Sequence, residues 1–167
     1  MKVNKQGYPA DRYKLIPRTL IFVTSEDLVL LLKGSPQKRL WANQYNGIGG
    51  HIERGEDVLT AARRELIEEA GLYIPDLWLC GIITIDTGEN VGIGIYLFRG
   101  ESSQRILKPS SEGQLEWVRM EDLYELPLVE DLYIILPKVL SIPEGDQPFY
   151  AHYSYDEKGG LKINIGI

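Results

Sequence analysis

The sequence predicts an α/β sandwich, a mixed β-sheet with one helix on each side. Three observations point to it. Apolar, β-branched runs come in pairs across short polar gaps, as hairpins do: residues 18–24 with 28–33, 77–86 with 91–99, and 149–155 with 161–165. A helical pattern lies between the first two pairs, with Leu59, Ala62, Leu66 and Ala70 at steps of three and four. A second follows at residues 127–140, where Leu132, Ile135 and Val139 repeat at the same period. The two apolar helix faces are expected to close onto opposite sides of the sheet.

A chain of 167 residues fits one domain, residues 1–167, large enough to bury about two-thirds of its unfolded surface. The hydrophobic fraction of 44 % and charged fraction of 25 % are those of an ordinary globular protein. No apolar run approaches the roughly 20 residues of a membrane span, so no membrane partner is expected. The net charge of −6 gives no electrostatic footprint for duplex nucleic acid and leaves small anionic substrates open. No basic and then apolar leader opens the chain, and a lone Cys80 cannot build a disulfide framework, so the cytoplasm is the expected compartment. No repeats or low-complexity segments appear, and a monomer or a homodimer fits equally.

Taken in order, residues 1–17 are polar and broken by Gly7, Pro9 and Pro17, with Tyr8 and Tyr13 as anchors, and are expected to hold little regular structure. Residues 18–24 and 28–33 form a first hairpin around Ser25-Glu26-Asp27, and Lys33 ends its second strand. Residues 34–45 read as a polar loop leading into Asn46-Gly47-Ile48-Gly49-Gly50, a glycine-rich entry to the first helix. That helix starts near Asp57, and Gly71 supplies its left-handed stop. A second hairpin turns at Thr87-Gly88-Glu89-Asn90, and Gly81, Gly92 and Gly94 mark either bulges or a floor against a flat ligand. A polar loop at 106–112 precedes the short strand Leu115-Glu116-Trp117-Val118, then a helical turn at 120–126 and the helix at 127–140, which Pro137 kinks or shortens. In the last hairpin Phe149, Ala151, Tyr153 and Tyr155 share one face, with Tyr150, His152 and Ser154 on the other.

The chemistry concentrates on the first helix. Glu65, Glu68 and Glu69 stand at i, i+3 and i+4, so their carboxylates leave one face within a turn. Like charges so placed repel by about 0.2–0.5 kcal/mol per pair, and a hard divalent cation, which takes oxygen ligands, reverses that sign. Arg64 carries a permanently charged planar fork that matches carboxylates.

Those residues lie in a longer pattern, GHIERGEDVLTAARRELIEEAGL, which resembles the Nudix (MutT-like) box: G, five residues, E, seven residues, then R-E-U-x-E-E-x-G-U with U aliphatic. Gly50, Glu56, Arg64, Glu65, Leu66, Glu68, Glu69, Gly71 and Leu72 fill every position. At roughly 5–7 % usage per residue type, such a match arises by chance in fewer than about one in a million chains of this length.

The resemblance implies a Nudix-fold α/β/α sandwich with a central mixed β-sheet and hydrolysis of a nucleoside diphosphate linked to another group. It implies Mg²⁺, with Mn²⁺ as a substitute, held by Glu65, Glu69 and the Gly50 carbonyl, with Glu68 as ligand or base. Glu56 and Arg64 brace the helix in that family, and Glu112, ahead of Trp117, stands where a glutamate joins the metal shell or acts as the base. The run YNGIGGHIERGE is similar to the oxidised-purine nucleoside triphosphatases of the family, in which an asparagine at the place of Asn46 contacts the base. Glu130 and Asp131 fall where that subgroup carries W-P-D-D and reads the purine edge; their other reading is favourable charge in a helix's first turn. Leu128 replaces the motif's aromatic. Lys33 lies at an edge that borders substrate in the family, or is a solvated strand end. The subgroup likeness extends from about residue 19 to the end.

The expected partner is therefore a small nucleotide. A nucleoside triphosphate, oxidised purines included, is the first reading; ADP-ribose, a dinucleoside polyphosphate or a pterin triphosphate is the second, which Leu128 allows; a non-catalytic nucleotide sensor is the third, usually marked by a broken box, and this box is whole.

Overall fold

A computed structural model describes Gly7 and residues 9–166. Tyr8, one of the two expected anchors, lies outside the described residues, as do residues 1–6. In chain order the elements are β1 (Lys14–Ser25), β2 (Leu28–Gly34), β3 (Tyr45–Asn46), β4 (Ile48–His51), α1 (Val58–Ala70), β5 (Trp78–Ile85), β6 (Val91–Glu101), β7 (Gly113–Arg119), a 3₁₀ turn (Met120–Glu125), α2 (Leu132–Ser141), β8 (Phe149–Tyr155) and β9 (Leu161–Gly166).

The strands form one sheet in the order β3-β2-β1-β6-β5-β8-β9, with β4 on β1 and β7 on β2. It is mixed, as expected: β1 runs parallel to β6 and β5 parallel to β8, while the hairpins are antiparallel. Alternation along β1 divides the core. Ile21 and Val23 pack with Ala62, Leu66 and Ala70 of α1, whereas Phe22 packs with Leu132, Ile135, Leu136 and Val139 of α2. The two helices thus cover opposite faces, which gives the α/β/α sandwich.

Four expectations change. Residues 14–17 are not loose: they extend β1 along β6, from Lys14↔Val91 onward, and the Tyr13 hydroxyl donates to the Ile85 carbonyl at 3.3 Å. The first hairpin is real but short, since β1 pairs with β2 only at Thr24↔Val29 and Ser25↔Leu28 before β4 takes over that edge. The glycine-rich entry is two short strands rather than a loop, because Ile48–His51 adds antiparallel to Arg18–Ile21. Finally, α2 begins at Leu132 and not at Pro127. The Tyr45 N–H donates to the Pro127 carbonyl and the Val129 N–H to the Tyr45 carbonyl, so this stretch is held extended beside β3.

Of the glycines in the second hairpin, Gly81 follows a register shift after Leu79, which is the bulge. Packing accounts for its bare Cα, since a Cβ there would meet the Phe149 ring at 2.8 Å.

Candidate active site

Helix α1 is set by its ends. The Asp57 carboxylate accepts from the Leu59 and Thr60 N–H groups at 2.9 and 3.0 Å, satisfying two first-turn donors. Gly71 closes the helix at φ 70°, a conformation that strongly favours glycine, and its N–H returns to the Ile67 carbonyl. With both ends fixed and Leu66 fully buried, Glu65 is turned toward Gly50 of β4.

Arg64 organises that face. Its Nε donates to Glu56 Oε2 at 3.0 Å and its Nη2 to Glu56 Oε1 at 2.7 Å. Nη1 reaches Glu65 Oε1 at 2.8 Å and Glu68 Oε2 at 3.1 Å, and Nη2 also meets the His51 carbonyl at 3.0 Å. Arg64 therefore joins β4, the turn before α1 and two of the three clustered glutamates. Glu56 accepts the Glu53 N–H as well, and the Arg64 hydrogen bonds, then that N–H, hold its carboxyl below the usual range.

Glu65 is the most enclosed of the three, at 9 % exposure, and burial pushes its carboxyl up despite the Arg64 contact. It lies against Gly50 of β4 so closely that a Cβ on that glycine would stand 2.3 Å from Glu65 Oε1. Glu68 is exposed. Glu69 accepts a hydrogen bond from the Ser110 hydroxyl, and the same hydroxyl accepts the Glu112 N–H at 3.1 Å. The Glu112 carboxylate meets Lys38 Nζ at 2.5 Å.

The three glutamates share a helix face as expected, but among the described residues no three His, Cys, Asp or Glu side chains converge as a ready metal cluster. Arg64 bridges Glu65 and Glu68 while Ser110 holds Glu69, and the guanidinium charge offsets part of the repulsion that the spacing imposes. The donor set nevertheless fits a hard divalent cation. It consists only of carboxylate and backbone oxygens, and Gly50 leaves room at the backbone for the Glu65 carboxylate.

The residues of the expected base pocket are distributed differently. Asn46 pairs with Leu32 across β3 and β2, and its Oδ1 accepts the neighbouring Gly47 N–H at 2.8 Å. Glu130 is exposed just ahead of α2. Asp131 is the α2 N-cap residue yet makes no side-chain capping bond. Its Oδ2 instead accepts from the Tyr153 hydroxyl of β8 at 3.1 Å. Burial raises the Asp131 carboxyl above its ordinary value, opposed by the Tyr153 bond, and burial raises the Tyr153 phenol as well. Asn46 and Asp131 thus make separate hydrogen bonds. Lys33 sits with its Nζ 5.5 Å from the centre of the Tyr45 ring, and the Tyr45 hydroxyl donates to Glu116 at 2.8 Å. Leu128 is 2 % exposed, part of the α2-side core.

Sequence reasoning missed Ser110, Lys38, Tyr153 as the partner of Asp131, and Glu116. Parity along β8 did place Tyr153 on the inward face beside Ala151, which was the one available signal. Arg63, outside the box pattern, is half-buried and donates to the Pro75 carbonyl.

Comparison with known proteins gives a consistent set. The family model described as NUDIX domain matches residues 14–139. An oxidized purine nucleoside triphosphate hydrolase of Danio rerio is 32 % identical over 106 residues, covering 63 % of this chain and 67 % of that protein. The Mus musculus protein of the same name is 26 % identical over 141 residues, covering 84 % of this chain and 86 % of its own. The crystal structure of a mutator MutT protein from Bacillus halodurans superposes with a TM-score of 0.74 at 27 % identity, covering 90 % of this chain and 97 % of that one.

Proposed function

The chain belongs to the Nudix family and is a Nudix hydrolase, and from that premise we propose that it uses Mg²⁺, or Mn²⁺ in its place, to cleave purine nucleoside triphosphates to the monophosphate and pyrophosphate. The observation that carries the reading is the Arg64 fork, which ties Glu56, Glu65 and Glu68 to one another and to β4 in a box with every position filled. The purine part rests on the names of the Danio rerio and Mus musculus relatives and on the half-buried Asp131 carboxylate beside Tyr153.

Glu65, Glu68, Glu69 and the Gly50 carbonyl would hold the cation. When bound, it supplies neutralisation of phosphate oxygens and activation of a water molecule. Arg64 keeps Glu56 and Glu65 in place, and Ser110 does so for Glu69. Glu112 is one acceptor for the proton of the attacking water and the exposed Glu68 is the other; Lys38 competes with that proton for Glu112 Oε2, so loss of the contact makes Glu112 the better base. Lys38, freed from Glu112, then has a charge to offer to a phosphate. Asp131, with Oδ2 taken by Tyr153, presents Oδ1 to N–H groups of a base.

A panel of purine and pyrimidine triphosphates, ADP-ribose and dinucleoside polyphosphates, incubated with and without Mg²⁺, tests the reading. Purine triphosphates should be turned over fastest, with pyrophosphate released and no activity in chelator. Faster turnover of ADP-ribose or a dinucleoside polyphosphate moves the substrate to the other branch of the family, and orthophosphate as first product contradicts the proposed bond cleavage.

A further inference from the structure

The carboxyl ends of β1 and β6, which run parallel, open a cleft of about 730 Å³ that the candidate active site does not use. That volume lies within the roughly 300–1,000 Å³ of small-molecule sites. The two places stand well apart on one strand. Thr19 of β1 pairs with Gly50 of the box, whereas Thr24 and Ser25, which line the cleft, follow roughly 17–20 Å further along the extended chain.

Two guanidinium groups line the cleft, and the structure holds both in place. Arg99 lies over the Trp78 ring, its central carbon 5.3 Å from the ring centre, and its Nη1 donates to the Leu140 carbonyl at 2.5 Å. Trp78 is fixed in turn, since its Nε1 donates to the Ile142 carbonyl at 3.1 Å. No carboxylate hydrogen-bonds Arg99: Nη2 stands 3.8 Å from Glu101 Oε1, beyond hydrogen-bond reach, and the buried Nε has no partner among the described residues. Arg105 donates through Nε to the Ser25 hydroxyl oxygen at 3.0 Å and through Nη2 to Glu26 Oε2 at 2.9 Å. Because the Ser25 oxygen accepts there, its own proton is available to donate, from a side chain only 5 % exposed. The segment carrying Arg105 is pinned as well, by the Ser102 N–H on the Thr24 carbonyl and by Trp117 Nε1 on the Arg105 carbonyl. Such a site is built before a ligand arrives, which lowers the cost of binding.

The carboxylates that balance this charge are its loosest part. The Glu26 and Glu101 side chains are 83 % and 72 % exposed, so their ion pairs contribute little and exchange readily. An oxyanion reaching both arginines replaces two weak contacts with charge-assisted bonds, and tetrahedral phosphate oxygens match the guanidinium fork. We propose that the cleft at the carboxyl ends of β1 and β6 is a second binding site, for a phosphate group, free or carried on a small ester, held by Arg99, Arg105 and the Ser25 hydroxyl.

The test titrates inorganic phosphate calorimetrically into the protein in chelator at constant ionic strength, where the acidic face of α1 has no cation through which to hold phosphate. Wild type should show one saturable site. Arg105→Ala should weaken it at least about tenfold, the scale of a lost charged hydrogen bond, while Mg²⁺-dependent turnover of a purine triphosphate stays near wild type. Glu26→Gln removes the competing carboxylate and no donor, so it should tighten binding about threefold or more, as an exposed ion pair allows. An arginine that only braces the loop predicts no such gain. Ribose 5-phosphate in the same titration separates the sources: tighter binding than inorganic phosphate identifies an ester, weaker binding the free ion, and either sustains the site. No saturable binding by wild type, unchanged affinity in Glu26→Gln, or wild-type affinity in a folded Arg105→Ala overturns the proposal. Since neither Mg²⁺ nor a nucleoside triphosphate enters the titration, such a failure leaves the substrate reading intact.

Discussion

Arg64 and Glu56, eight residues apart, are joined by two parallel hydrogen bonds, Nε to Oε2 at 3.0 Å and Nη2 to Oε1 at 2.7 Å. The pair locks the turn ahead of α1 to the helix itself, and only a planar fork makes both bonds at once while a third nitrogen reaches Glu65. Arg64→Lys keeps the charge and loses the fork. It should lower kcat at least tenfold while costing about 1.5–3 kcal/mol of stability, the scale of one charged hydrogen bond. Steady-state kinetics beside urea unfolding check this; a kcat near wild type would mean that the brace is dispensable for the chemistry.

Mg²⁺ should stabilise the protein without substrate, because Glu65, Glu68 and Glu69 share a face and are only partly neutralised by Arg64. Linkage makes the gain RT ln(1 + [L]/Kd), so melting temperature should climb with the logarithm of free Mg²⁺ above Kd. A calorimetric series through millimolar Mg²⁺ measures it. A flat series would show that the cluster does not take a cation by itself.

Asp131 gives a pH signature with a definite sign. Burial raises its carboxyl above the ordinary 3.8, so the folded state holds that proton more tightly than the unfolded chain does. Its contribution to stability is full below that ordinary value and is lost as pH rises through the raised one. Asp131→Asn should lack this loss, so its melting temperature relative to wild type should increase with pH over that window. Tyr153→Phe, which removes the bond favouring the ionised form, should move the loss to higher pH. In activity, Asp131→Asn should cut kcat/KM for purine triphosphates at least about tenfold, or ~1.4 kcal/mol. An equal fall on a substrate without a base would assign Asp131 to the fold alone.

What was legible in the sequence was mostly local. Asp57 and Gly71 announce the ends of α1 through bonds within a few residues, and the hairpin turns sit where polar gaps interrupt apolar runs. The box itself was legible because its spacing is fixed along one helix. Less was visible where distant backbone decides. The extension of β1 to Lys14 depends on the parallel partner β6, and β3 and β4 are too short to show alternation. The start of α2 was misplaced because Tyr45, from far earlier in the chain, takes the backbone bonds of Pro127 and Val129. Lys38 and Ser110 escaped notice for the same reason: their partners, Glu112 and Glu69, are reached only when loops approach one another in space.

The central claim, that the α1 glutamates are the hydrolytic machinery, is tested most directly by Glu69→Gln assayed with saturating Mg²⁺ on the best purine triphosphate. Glu69 is half-buried and bonded to Ser110, so the isosteric amide should leave the fold and its melting temperature nearly unchanged. Turnover should fall about 10²-fold or more, the usual scale of a metal or acid–base contribution. A variant that keeps more than about a tenth of the wild-type rate, where 10²-fold is the expected loss, would contradict the account.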